Sequence, residues 1–201
     1  MNKKPILIVA GEPNSIFSEI FFKSLKNFNF KRPIILIASR KLFELQMKKL
    51  GYNFQFKEID KELSENISNK KKVINIINVK FKFTKIFDKI TNKSNKYINE
   101  CFLLANNLLR NKKAYALING PISKKNFLKK KHLGITEYLA KMNNVKNFAM
   151  LIYNKDFSVS PLTTHIAIKK VSGQISKKKI INKVYLIKKF YNTAFNINVK
   201  I

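Results

Sequence analysis

Pro5-Ile6-Leu7-Ile8-Val9-Ala10-Gly11-Glu12-Pro13 begins with an uninterrupted apolar run and stops at a Gly/Pro turn. Ile16, Ile20, Phe21 and Leu25 then recur at helical spacing, so the segment reads as strand, turn, helix. The same unit returns further on. Pro33–Ala38 is a second buried strand, Lys41–Leu50 a helix ended by Gly51, and Tyr52–Phe56 alternates like a third strand. Strands alternating with helices imply an α/β fold, a parallel or mixed sheet flanked by helices.

Downstream, Asp60–Lys72 is a polar surface excursion before the apolar run Val73–Val79. Ser94 is placed to cap a helix whose stripe is Ile98, Cys101, Phe102, Ala105, Leu108 and Leu109, closing near Arg110–Lys113. Ala114–Ile118 follows as a strand that Asn119-Gly120-Pro121 breaks. Ser123 caps a helix to about Lys131, and another helix begins near Thr136. A lobe boundary is placed near residues 119–123. Phe148–Tyr153 and Phe157–Leu162 read as strands, Ser176–Phe195 as a long basic amphipathic helix, and Asn198–Ile201 as a strand just beginning. A domain rarely stops on the first residues of a strand, so the expected fold is truncated at its C-terminus.

The 201 residues carry 41 Lys and Arg against 11 Asp and Glu, a net charge of +30. The excess is lysine spread over every segment, accompanied by Asn, Ile and Phe, and only Arg32, Arg40 and Arg110 are arginine. Nucleic-acid binders concentrate Arg and Lys on one face, so a biased base composition accounts for the charge, and nucleic acid is not the expected partner. The lone Cys101 rules out an internal disulfide and suits a reducing cytoplasm. No apolar run approaches the roughly 18–20 residues that span a bilayer, and Met1–Gly11 is too short for a secretory signal, so no membrane partner is expected.

Four segments, in order, carry a resemblance. They are Gly11-Glu12-Pro13 with Glu19 in the next helix; Ala116–Lys124, ending Gly120-Pro121-Ile122-Ser123-Lys124; Gly134-Ile135-Thr136-Glu137-Tyr138-Leu139-Ala140; and Thr163-Thr164-His165, thirty residues after Ile135. Together they resemble the 4-hydroxythreonine-4-phosphate dehydrogenase family of pyridoxal phosphate biosynthesis. The matching family patterns are GEPxGIGPE, GPI-x-K, GHTEYLA and the later TTH. Two departures stand out: Ser15 and Phe17 replace glycines of the first motif, and Ile135 replaces the histidine of the third.

The resemblance implies a fold of the isocitrate and isopropylmalate dehydrogenase type and a homodimer. It also implies NAD- or NADP-dependent oxidation of 4-phosphooxy-L-threonine with a divalent metal cation. Of the substrate-contacting His and Thr of GHTE, only Thr136 carries over, because Ile135 has no hydrogen-bonding side chain. His165 matches the family's first metal ligand. The family's two other metal histidines, and its later Lys, Asn and Arg substrate contacts, have no counterpart up to residue 201.

The residues alone leave other readings open. Beside two hydroxyl residues, His165 reads as a metal ligand or as a hydrogen-bonded structural histidine. Thr136 with Glu137 is also an N-terminal capping signal. His132, flanked by lysines, reads as a solvated histidine at a helix end, and Gly11–Pro13 as a tight turn. Two further functions stand beside the dehydrogenase: a non-catalytic descendant that binds a phosphorylated metabolite, and a basic nucleic-acid-associated protein.

Overall fold

A run such as Ile34–Ala38, apolar at every position, belongs in a strand covered on both faces, and the parallel sheet at the centre of the structure meets that demand. The computed structural model describes residues 3–63, 67–129 and 131–201. Five parallel strands, β1 (Ile6–Val9), β2 (Ile34–Ala38), β3 (Gln55–Glu58), β4 (Val73–Asn78) and β5 (Ala116–Asn119), lie in the order β3-β4-β2-β1-β5. The interior strand β1 pairs Ile6 with Ile34 of β2 on one side and with Ala116 of β5 on the other.

Successive side chains of a strand point to opposite faces, and the core divides accordingly. Ile8, Ala10, Leu36, Ala38, Ile74 and Ile76 form one cluster with Phe17, Phe21 and Phe22 of α1 (Phe17–Asn27) and Phe43 and Met47 of α2 (Arg40–Lys49). Leu7, Val9, Ile35 and Ile37 face the other way. There α3 (Asn95–Arg110), with Ile98, Cys101, Phe102, Ala105 and Leu108 buried as one stripe, packs on β1, β2 and β5. Gly51 ends α2 with a positive φ of 73°, and the Tyr52 amide behind it donates to Met47 O at 3.0 Å.

The expected α/β class with a parallel, helix-flanked sheet is observed, and several boundaries move. β3 starts at Gln55 instead of Tyr52, because Tyr52 and Phe54 are drawn onto Phe22, with ring centroids 5.5 and 6.0 Å away. β5 starts at Ala116, where pairing with β1 begins. The helix expected to run to Lys131 is a single π-helical turn, Lys124–Leu128, which Ser123 caps and Lys129 ends at φ 47°. Residues 64–66 of the polar excursion, and Lys130, lie outside the described residues.

The chain divides into two compact units, Met1–Lys129 and Lys130–Ile201. In the second, α4 (Ile135–Met142) has no fully buried residue and α5 (Lys177–Phe195) buries only Tyr191. Tyr191 packs beside Phe195 at 5.7 Å and shares a 3.1 Å hydrogen bond with Ser158 Oγ. The strands expected at Phe148–Tyr153 and Phe157–Leu162 reduce to one antiparallel bridge, Ile152 with Val159, and Asn198–Ile201 is not a strand. Met150, Ile152, Tyr153 and Phe157 are exposed, since an apolar run becomes a buried strand only where a neighbouring sheet receives it.

Candidate functional site

Strand order fixes where a site belongs in the first unit. From β1 the chain passes to β2 and on to the edge strand β3, inserts β4 between them, and then crosses to the other side of β1 as β5. The direction therefore reverses between β1 and β5, and such sheets bind ligands at the carboxyl ends of the strands where it reverses. Gly11-Glu12-Pro13 leaves β1 and Gly120-Pro121-Ile122-Ser123 leaves β5 at that edge.

The two loops meet backbone to backbone. The Glu12 amide donates to Pro121 O at 2.8 Å and the Gly120 amide to Val9 O at 2.8 Å. Gly11 has φ 74°, and a Cβ there would overlap Pro121 O, while a Cβ on Gly120 would overlap Ala10 O. Both glycines are thus accounted for by loop packing, which agrees with the tight-turn reading of Gly11–Pro13.

Glu12 is the residue that the motif did not explain. Only 2% exposed, its Oε2 accepts from Ser94 Oγ at 2.7 Å and its Oε1 from the Asn14 amide at 3.4 Å. Ser94 therefore occupies the cap position of α3 without capping it, because its hydroxyl is turned to Glu12. Gln46, fully buried, donates through Nε2 to Pro13 O at 2.9 Å and to Ile86 O at 3.1 Å, so α2 holds the same loop. One clue was available in the sequence: the chain has only 11 acidic residues, and one of them follows a strand and a glycine.

Burial pushes the Glu12 carboxyl above its ordinary value of 4.5, and the bonds from Ser94 and Asn14 pull it partly back. The folded state accordingly holds the proton more tightly than the unfolded chain. The stability this confers is complete below about pH 4.5 and is lost as pH rises through the folded value. Glu12→Gln, which can still accept from Ser94, is expected to melt above the parent near pH 8 and to converge with it near pH 4.5. Thermal melts across that range check this, and parallel curves would refute it. Nearby, the Tyr97 hydroxyl accepts from the Ser39 amide at 3.0 Å, and burial raises the Cys101 thiol to about 12, leaving it an inert core group.

In the second unit Thr136 is the second residue of α4 and half-buried. Gly134 precedes the helix, and the Glu137 carboxylate folds back until Oε2 lies 3.0 Å from where a Gly134 Cβ would sit. His132 is half-buried, in place of the solvated position expected for it, with its ring edge-on to Tyr138 at 5.6 Å. Burial also raises the Tyr138 hydroxyl to about 12.

His165 is exposed and has a left-handed backbone, φ 57°. Catalytic metals take about three protein ligands. Among the described residues no group of three or more His, Cys, Asp or Glu side chains converges to hold a metal ion, so the present donor set does not fit one.

Residues 29–201 match the family described as "Pyridoxal phosphate biosynthetic protein PdxA". The chain is similar to the 4-hydroxythreonine-4-phosphate dehydrogenase of Sulfurihydrogenibium sp. (strain YO3AOP1), with 33% identity over 96% of this chain and 59% of that protein. It is 28% identical to the enzyme of that name from Aquifex aeolicus (strain VF5), over 97% of this chain and 60% of the relative. A crystal structure of a 4-hydroxythreonine-4-phosphate dehydrogenase from Burkholderia phymatum superposes with a TM-score of 0.83 at 19% identity, covering 96% of this chain and 59% of that one, and shows the shared fold. The chain spans about three fifths of the length of the curated relatives it matches.

Proposed function

The chain belongs to the pyridoxal phosphate biosynthetic protein PdxA family, and on that premise we propose that it serves the nicotinamide-dependent oxidation of 4-phosphooxy-L-threonine. The product is 2-amino-3-oxo-4-phosphooxybutanoate, which then loses its carboxyl group as carbon dioxide. The family match over residues 29–201, which includes Gly134–Ala140 and Thr163–His165, carries this reading.

At residue level, Thr136 is the substrate contact. Its hydroxyl lies on the first turn of α4, where backbone N–H groups are unpaired within the helix, an arrangement suited to a phosphorylated anion. NAD or NADP would accept the hydride. His165 would be one imidazole ligand of the divalent cation that the family reading includes, which would supply charge stabilisation; the described residues do not complete its donor set. The family reading includes a homodimer, and exposed apolar side chains such as Ile168 (91%) and Ile181 (55%) in the second unit are in keeping with a buried surface there. Among the described residues no helix is long and apolar enough to cross a membrane. A cytoplasmic location is part of the proposal.

Ile135, and the absence of a three-ligand metal group among the described residues, favour a second reading: a non-catalytic member that binds a phosphorylated metabolite. One experiment separates the two. The purified chain is given 4-phosphooxy-L-threonine, NAD or NADP and a divalent cation while reduced nicotinamide is followed by absorbance. Turnover that drops about tenfold or more in Thr136→Ala supports the enzyme, since one hydrogen bond to a charged group is worth about 1.5–3 kcal/mol. Calorimetric binding without turnover, weakened in Thr136→Ala and strengthened in Ile135→His, supports the second reading. Absence of both eliminates Thr136 as a contact.

A further inference from the structure

We infer that a cleft at the amino-terminal edge of the sheet, the edge opposite Gly11 and Gly120, binds a nucleotide unit, either free or within a single strand. The cleft has a volume of about 650 Å³ and is lined by residues that lead into β1, β2 and β4. That volume lies within the usual range of small-ligand sites, about 300–1,000 Å³.

Lysines occur over the whole chain, so their presence in a cleft decides nothing alone. Three other observations single this one out. The cations converge on a concavity: Lys3, Lys31, Arg32, Lys70 and Lys71 line it, with no acidic residue among its described lining groups. Two aromatic rings stand in the same cleft, Phe28 at 64% and Phe30 at 49% exposure, although the chain has a core that accepts phenylalanine readily. The walls are also fixed. Asn75, only 4% exposed, donates to Ile34 O at 3.2 Å and Ser68 O at 2.8 Å and accepts from the Ser68 amide at 2.8 Å, pinning the turn that presents Lys70 and Lys71. Arg32 is steadied by Tyr115, with its guanidinium carbon 3.9 Å from the ring centroid.

A charged groove with exposed rings matches phosphate and base together. The cations meet the phosphate, and a phenylalanine face stacks on any base regardless of its identity. A simple inorganic anion would leave the rings without a role. The inference does not depend on the proposed dehydrogenase reaction, which concerns other residues.

The test uses the full chain and two probes, a fluorescent oligothymidylate read by anisotropy and adenosine monophosphate as competitor. One nucleotide of a strand brings its two flanking phosphates into the cleft, a single-strand salt slope of about −1.4, so raising salt from about 50 to about 200 mM should weaken binding about sevenfold. Lys31→Glu with Lys71→Glu, and separately Phe30→Ala, should each weaken binding about tenfold or more while melting like the parent. Lys188→Glu with Lys189→Glu on α5 should leave it unchanged. Competition by the monophosphate at the cleft identifies a free nucleotide as the ligand, and binding of the oligomer alone identifies a strand. No binding at low salt overturns the inference. So does equal weakening by cleft and α5 reversals, which would mean diffuse attraction to a basic chain, or indifference to Phe30→Ala.

Discussion

Gly120→Ala is expected to destabilise the protein by about 3 kcal/mol, lowering the melting temperature by roughly 10 °C for a chain of this size. An added Cβ overlaps Ala10 O and comes 2.7 Å from Phe17 Cδ2 and 2.9 Å from Ala10 C. Two of these atoms are backbone just past the end of β1, so the overlap cannot be relieved by turning a flexible side chain. The neighbouring bond, Gly120 amide to Val9 O, would stretch as β1 and β5 part. Gly173→Ala serves as control, because nothing lies within 4 Å of its Cβ position. Thermal denaturation of both variants measures the difference, and equal melting temperatures would show that the two loops are not in contact.

Phe22→Ala has the other large effect, a loss of about 3–5 kcal/mol from cavity formation in a packed core. The ring is fully buried and meets Phe43 at 5.4 Å, Tyr52 at 5.5 Å, Phe21 at 5.8 Å and Phe54 at 6.0 Å. Its neighbours come from α1, α2 and the approach to β3, so a void there loosens one entire layer on the sheet. Domains carry net stabilities of about 5–15 kcal/mol, which makes this a large fraction of the total. Phe22→Leu should lose roughly 1–2 kcal/mol, and Phe157→Ala, 77% exposed at the parent position, close to none. Denaturant melts give the ranking, and a Phe22→Ala value no larger than that of Phe157→Ala would refute the packing account.

The sheet could be read from the sequence because its signals are local. Ile6–Val9 and Ile34–Ala38 are apolar at every position, and the stripe from Ile98 to Leu108 repeats at helical spacing. Thr136 at the start of α4 was legible for the same reason, since Gly134 and Glu137 mark a helix beginning. What failed depended on distant partners. Ser94 has the pattern of a cap, but its hydroxyl is taken by a carboxylate 82 residues away. Phe148–Tyr153 has the composition of a strand, but its one bridge pairs Ile152 with Val159. The left-handed backbone of His165 has no sequence signal at all, for histidine next to two threonines suggests no such turn.

The pairing of β1 has a temporal consequence. Ile6 pairs with Ala116, so β1 stays open on one side until about 110 further residues have been synthesised. Closing so long a loop is entropically costly and tends to slow folding. A nascent chain leaving the ribosome would for that interval present one unzipped flank of its most apolar strand, a window in which chaperone protection matters most.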